Sequence, residues 1–273
     1  MDKTAILDDV TARIRVKKDS VRGKHLSLML DVLEKLSGSS LVFKGGSSLL
    51  LCHGGTRFSE DLDFDAFAPR NLKSVLGSLA PKYQALGCTY EVENPKNTST
   101  SSRYNIFVSG EYGSFKLKLD ISLRDFRKGN GQPPLVTING IETYSIQEIF
   151  NQKVNAVVGT ETSNQRTKSR DIYDLNFILA KPNIVVDQHQ LIRLKNELGN
   201  PSSMLERYLE AWEEDPITSD FNLDEASINL FDSVESRIVN SGHDRRGLFA
   251  KAVENIESGN DLGPKINESD PEP

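Results

Sequence analysis

The chain has 273 residues, enough for one large domain or two modest ones with a proper core, which excludes the small scaffolds held by disulfides. Its 37% hydrophobic and 26% charged residues are those of a globular chain and exclude a fibrous or wholly disordered one. A net charge of −6 excludes a generic nucleic-acid-coating protein of the histone kind, although a local basic patch is compatible with it.

In chain order, residues 4–16 and 20–37 read as helices, the second carrying Leu26, Met29, Leu30, Leu33 and Leu36 at spacings of three and four. Gly38 stops it. A short apolar strand, Ser40 to Phe43, runs into Gly45-Gly46, and Ser47 to Cys52 resumes a helical pattern. Leu62-Asp63-Phe64-Asp65 alternates acidic with apolar residues at the period of a strand. A helix is expected over 72–86, then strands over 89–92, 104–108 and 115–123. The connector 95–102 reads as a flexible loop and 110–114 as a hairpin turn. A strand over 136–138 completes an N-terminal mixed sheet.

From Tyr144 the pattern turns helical. Ser145-Ile-Gln-Glu148 is a capping box followed by the stripe Ile146, Ile149, Phe150, Val154 and Val157. Further helices are expected over 169–179, 188–197, 202–213, 224–239 and 245–256, and the polar, acidic stretch 257–273 is expected to be disordered. No window approaches roughly 18 consecutive apolar residues, so no membrane span is expected. The start, Met1-Asp2-Lys3-Thr4, lacks a basic segment followed by an apolar one, and Cys52 and Cys88 make no disulfide framework. A cytoplasmic chain with no membrane partner is therefore expected.

The chemistry concentrates in Lys44-Gly-Gly-Ser-Ser48 and Arg57-Phe-Ser-Glu-Asp-Leu-Asp63. Two glycines after a buried strand let the backbone approach a phosphate, with the amides of Gly46 and Ser47 directed at it from a helix start. Asp61 and Asp63, two apart on an extended segment, share a side and offer oxygen ligands to divalent cations. A third carboxylate is Asp120, which the alternation of residues 115–121 places on one face with Lys116 and Lys118. Singly, each piece has an ordinary reading: a tight turn, a solvated strand edge, a surface ion pair. Together and in this order, they match what two-metal nucleotidyl transfer requires.

These residues resemble the nucleotidyltransferase superfamily of DNA polymerase β type, whose signature is Gly-Ser, a spacer, then Asp-x-Asp. Lys44-Gly-Gly-Ser-Ser-Leu49, Arg57-Phe-Ser-Glu-Asp-Leu-Asp-Phe64, Lys153 and Arg170-Asp-Ile-Tyr-Asp-Leu175 are similar to the AbiEii and MenT toxin family of bacterial toxin-antitoxin and abortive-infection systems. The resemblance spans about residues 41–179. Thirteen residues separate Ser47 from Asp61, more than the superfamily spacer, which leaves open whether Ser47 or Ser59 does most of the nucleotide binding. The resemblance implies transfer of nucleotides, typically pyrimidines, from NTP to the 3′ acceptor end of tRNA, which blocks translation, and a cognate antitoxin. AbiEii-type relatives are associated with GTP binding.

Lys153 lies on the inward stripe of its helix. Either its stem packs while its ammonium reaches water, or it reaches triphosphate oxygens across a cleft. Asp171 lies beside the apolar side of the next helix, where it could orient Lys153. Asp174 is expected further round, paired at the surface with Arg170. Arg166, Lys168 and Arg170 could line a path for RNA phosphates or simply be solvated charge. The four histidines show no ligand spacing, and Trp212 reads as a core anchor.

The expected fold class is α/β (α+β): a nucleotidyltransferase-type mixed sheet with helices over 1–143 and a helical lobe over 144–256, with the site between them. In that scheme Asp61, Asp63 and Asp120 hold two Mg²⁺ ions, and Asp120 also assists the acceptor hydroxyl. Lys44, Gly45, Gly46, Ser47, Arg57 and Ser59 bind the nucleotide, and Lys153 and Asp171 act from the second lobe. The alternatives are a nucleotidyltransferase acting on a small molecule or protein, and a nucleotide-binding module without turnover.

Overall fold

The computed structural model describes residues 1–66, 71–123, 135–161, 164–219 and 221–238. Helix α1 (Lys3–Arg13) is capped by Asp2, whose carboxylate accepts from the Ala5 amide at 3.1 Å. In α2 (Val21–Leu36) the expected stripe Leu26, Met29, Leu30, Leu33 and Leu36 is buried. Strand β1 (Leu41–Lys44) leads into α3 (Gly45–Cys52), and β2 (Leu62–Ala66) returns antiparallel to β1.

The single helix expected over 72–86 is two short ones, α4 (Lys73–Gly77) and α5 (Ala80–Gln84). Pro81 explains the break, because it has no N–H for the Gly77 carbonyl and its ring would collide with that oxygen. Strands β3 (Cys88–Asn97), β4 (Ser101–Gly110) and β5 (Gly113–Ser122) form two antiparallel hairpins. The stretch 95–102, expected to be a flexible loop, is mostly strand. Pro95 is tolerated there because β3 is an edge strand and its register shifts between Glu93 and Lys96.

Strands β6 (Leu135–Ile138) and β7 (Ile141–Tyr144) are joined by Asn139-Gly140, both at positive φ (54° and 78°), an arrangement that Asn-Gly favours in tight hairpins. The seven strands make one mixed sheet in the order β3-β4-β5-β2-β1-β7-β6. The helices α6 (Ile146–Val158), α7 (Ser169–Leu179), α8 (Gln188–Leu198) and α9 (Pro201–Glu213) follow, with a further helical run over 223–238. Ser145 caps α6 by accepting from the Glu148 amide at 3.2 Å, as the capping box requires. The helix expected over 245–256 and the tail 257–273 lie outside the described residues.

Alternation along β1 divides the interior. Leu41 and Phe43 join one apolar core with α1, α2 and the long hairpins, whereas Val42 joins another with Leu49, Tyr144 and the helices from α6 onward. Trp212 anchors the second core and donates from Nε1 to the Phe221 carbonyl at 2.9 Å. Cys88 is buried and Cys52 half-buried, both free. Among the described residues no helix is long and apolar enough to cross a membrane.

Candidate active site

Strand pairing brings the candidate residues into one transverse row. Lys44 on β1 is opposite Asp63 on β2, Asp63 is opposite Asp120 on β5, and Asp120 is opposite Arg103 on β4. The row therefore reads cation, carboxylate, carboxylate, cation across four strands. Asp61, two residues before Asp63, extends the carboxylates along the same side, as the period of two predicts.

The glycines are fixed by what surrounds them. Gly45 takes φ +77°, and a Cβ there would lie 2.7 Å from Asp63 Oδ2, so the turn passes against the carboxylate only because it has no side chain. A Cβ on Gly46 would collide with the Arg57 guanidinium and come 3.2 Å from Ser59 Oγ. No side chain caps α3, which leaves its first-turn amides to an anion, the feature that makes a helix start a phosphate site. Ser47 and Ser59, which the sequence offered as alternatives, are joined: Ser47 Oγ donates to Ser59 Oγ at 2.8 Å and also lies against the Asp61 carbonyl. The Lys44 ammonium is paired with Asp65, and Tyr144 donates to the other oxygen of Asp65 at 2.8 Å.

The carboxylates have cationic company. Arg103 forks onto Asp120 at 2.6 and 3.2 Å. Lys118 lies 2.5 Å from Asp61 and 3.7 Å from Asp120. Burial raises the Asp63 carboxyl above the ordinary range; Lys44 and Lys153 pull it down, while Asp61 and Asp120 add to the rise. Crowded hard oxygen donors of this kind suit a divalent cation, which would relieve their mutual repulsion. Among the described residues no three His, Cys, Asp or Glu side chains already converge on one ion position, since Asp61 and Asp120 are turned to Lys118 and Arg103.

From the helical lobe comes a buried ion network. Lys153 is 7% exposed, so its head does not reach water. Its ammonium lies 2.7 Å from Asp171 and 2.6 Å from Asp174. Asp174 also takes both forks of Arg57, each at 2.7 Å. The expected surface pairing of Asp174 with Arg170 is thus corrected: Asp174 is 2% exposed, and Arg170 pairs with Asp215 at 2.6 Å. The signal was present, because residues three apart share a helix face and Asp171 and Asp174 both point inward.

Burial would raise the Asp171 carboxyl, but Lys153 and Arg166 outweigh it and hold it at about 2. At Asp174, burial is likewise outweighed by Lys153 and Arg57, and its carboxyl is lowered. Burial opposes the charge of Lys153, yet Asp171 and Asp174 raise its pKa. Arg166, a candidate for an RNA path, is committed to Asp171 at 2.7 Å. Sequence reasoning missed Arg103, placed Asp174 at the surface, and noted Lys118 only as a neighbour of Asp120 on one face.

Residues 28–237 match the family described as nucleotidyl transferase AbiEii toxin, type IV toxin-antitoxin system. The chain belongs to the AbiEii family. This AbiEii chain is accordingly a nucleotidyltransferase of the toxin-antitoxin class. It is similar to a putative nucleotidyltransferase from H. pylori, with 28% identity, a TM-score of 0.70, and 80% of this chain and 94% of that one covered. It is also similar to JHP933 from Helicobacter pylori, with 26% identity, a TM-score of 0.73, and 83% and 97% covered. The match to MenT4, a nucleotidyltransferase toxin from Mycobacterium tuberculosis, is looser, with 15% identity, a TM-score of 0.45, and 86% and 88% covered; it is too distant to bear on this chain. A comparison with curated proteins gave no match.

Proposed function

We propose that this nucleotidyltransferase moves a nucleotide from an NTP, by preference a pyrimidine one, to the 3′ acceptor end of tRNA, and that a cognate antitoxin counteracts the resulting block of translation. The observation that carries the reading is the transverse row Lys44–Asp63–Asp120–Arg103 beside the uncapped, glycine-led start of α3. Such a row offers a place for negative charge to be neutralised directly next to a place where a polyphosphate can be held. The pyrimidine and tRNA preferences rest on the resemblance of the Lys44–Leu49 and Arg57–Phe64 motifs to the toxin family.

In this reading the amides of Gly46 and Ser47 and the paired hydroxyls of Ser47 and Ser59 hold the triphosphate. Asp61, Asp63 and Asp120 would hold Mg²⁺, which lowers the pKa of an acceptor hydroxyl and neutralises charge on the leaving pyrophosphate. Asp120, on the side of the row away from α3, is placed to accept the proton of the acceptor hydroxyl. Arg57 is occupied by Asp174, so its contribution is to fix the turn at Gly46 rather than to fork onto a phosphate. Lys153 adds positive potential toward Asp63 and the nucleotide from the helical lobe, and Asp171 keeps it charged and oriented.

Incubating the purified protein with each of the four labelled NTPs, Mg²⁺ and total tRNA tests this directly. Label at the tRNA 3′ end from a pyrimidine nucleotide is expected. Label on protein or a small molecule instead would replace the acceptor assignment, and tight nucleotide binding without pyrophosphate release would replace the catalytic one.

A further inference from the structure

Lys118 stands in an unusual relation to the carboxylate row. Its ammonium lies between Asp61 and Asp120, at 2.5 and 3.7 Å, so it pairs with Asp61 and adds to the screening that Arg103 gives Asp120. These are the groups assigned above to the divalent ions, and a divalent ion and an ammonium cannot share them without strong repulsion. A lysine released from this position, its side chain 30% exposed, has water and its cross-strand neighbour as alternatives. Directly across the ladder from Lys118 is Asn105 on β4. Asn105 is buried, and among the described residues its Oδ1 has no hydrogen-bond partner, a costly state for an amide oxygen inside a protein. Paired strand residues carry their Cβ atoms about 4.5–5.5 Å apart, within reach of a lysine stem.

We propose that Lys118 is a placeholder cation that offsets part of the carboxylates' negative charge before metal entry, and that Asn105 Oδ1 receives its ammonium when the metal displaces it. Lys118 is then a positioning residue acting through Asp61 and Asp120. The orphaned oxygen of Asn105 is explained as half of a hydrogen bond made only in the loaded state. Metal entry costs the Lys118 ion pairs and regains part of that loss at Asn105, so both side chains set the metal affinity, in opposite directions.

The inference rests on the assignment of Asp61, Asp63 and Asp120 to the metal, and the test separates the two. Mn²⁺ binding to the full chain, without nucleotide, is measured by titration calorimetry and by the electron spin resonance signal of free Mn²⁺. Lys118→Met, which keeps the stem and removes the charge, should tighten Mn²⁺ binding on the order of tenfold. Asn105→Leu should weaken it severalfold while leaving the melting temperature of the metal-free protein unchanged or higher, because an unpaired buried amide has been removed. In the double variant the Asn105 effect should vanish, since no ammonium remains to be received.

Unchanged or weaker Mn²⁺ binding in Lys118→Met, or an undiminished Asn105 effect in the double variant, overturns the placeholder role. Should Asn105→Leu not fold, Asn105→Asp serves instead: its own charge attracts Mn²⁺ in either background, and by drawing Lys118 away from the row it should tighten Mn²⁺ binding more in the parent background than in Lys118→Met, equal tightening in both overturning the proposal. If Asp61→Asn and Asp63→Asn leave Mn²⁺ binding as it is in the parent, the metal assignment itself fails, and with it the proposal.

Discussion

Replacing Asp174 by Asn removes one negative charge from the centre of the buried network and almost no volume, so its effect isolates electrostatics. Asp174 takes two bonds of 2.7 Å from Arg57 and lies 2.6 Å from Lys153. Lys153 retains the Asp171 carboxylate at 2.7 Å, whereas Arg57 keeps only uncharged acceptors, the Phe58 carbonyl at 3.1 Å and the new amide oxygen. Removing one partner of a buried ion pair costs about 3–5 kcal/mol, because the other charge is left desolvated. At about 2–4 °C per kcal/mol for a chain of this size, the melting temperature should fall on the order of 6 to 20 °C. The loss should be less than additive in the double variant Arg57→Met/Asp174→Leu, where no charge is stranded. The pH dependence adds a second reading. The Asp171 carboxyl is held at about 2 and that of Asp174 is lowered, and a depressed carboxyl stabilises the fold fully above its unfolded value. That contribution, roughly 2 kcal/mol from Asp171, is lost as the pH falls from about 4 toward 2. In Asp174→Asn the acid-induced loss should be smaller than in the parent. A melting temperature within about 2 °C of the parent, with an unchanged acid profile, would refute the claim that the Arg57–Asp174–Lys153 network contributes several kcal/mol to the fold.

Asp61→Asn and Asp63→Asn should each abolish nucleotide transfer and growth inhibition with little change in melting temperature; full activity in both would remove the metal assignment. Ser59→Ala should lower transfer, and Ser59→Asp should lower it further by repelling the triphosphate, which nucleotide titration would show as a raised KM. Gly46→Ala should displace the Arg57 guanidinium, costing about 1–3 kcal/mol by overpacking and reducing transfer, read from denaturant melts beside steady-state rates. A stable and fully active Gly46→Ala protein would mean that the turn is held by something other than its contact with Arg57.

The legible parts of the fold were those decided by local sequence. Helix α7 starts and ends where its apolar spacing indicates, and Ser145 and Glu148 mark the start of α6. The misreadings have two causes: an overlooked local constraint, and pairing that local composition does not show. Pro81 breaks a helix whose apolar residues continue through it. Asn139-Gly140 folds back a strand, β7, whose pairing with β1 ties the sheet to the helical core. The Ser- and Thr-rich stretch after Pro95 looks like a loop by composition, yet β4 supplies it with backbone partners. At the candidate site, Asp61, Asp63, Asp120 and the glycines stand out in the sequence because residue type and spacing single them out, and the strand register sets Asp63 beside Asp120. Their counter-ions could not, because Arg103 meets Asp120 and Asn105 meets Lys118 only through a strand register that no local pattern announces.

The same limit explains Arg57. Within its motif it reads as a nucleotide ligand, since an arginine beside a serine and two aspartates is what a phosphate site offers. Its partner lies 117 residues further along the chain, and the pairing changes its role. Gly46 has no side chain because Arg57 fills that space; Arg57 is held there by Asp174, and Asp174 is kept ionised by Lys153 as well as by Arg57. The glycine turn at the start of α3 is thus braced by charges carried on α6 and α7. A change that neutralises Asp174 reaches the turn through one guanidinium, and it should alter nucleotide affinity, read as a raised KM in nucleotide titration, without replacing any residue of the carboxylate row.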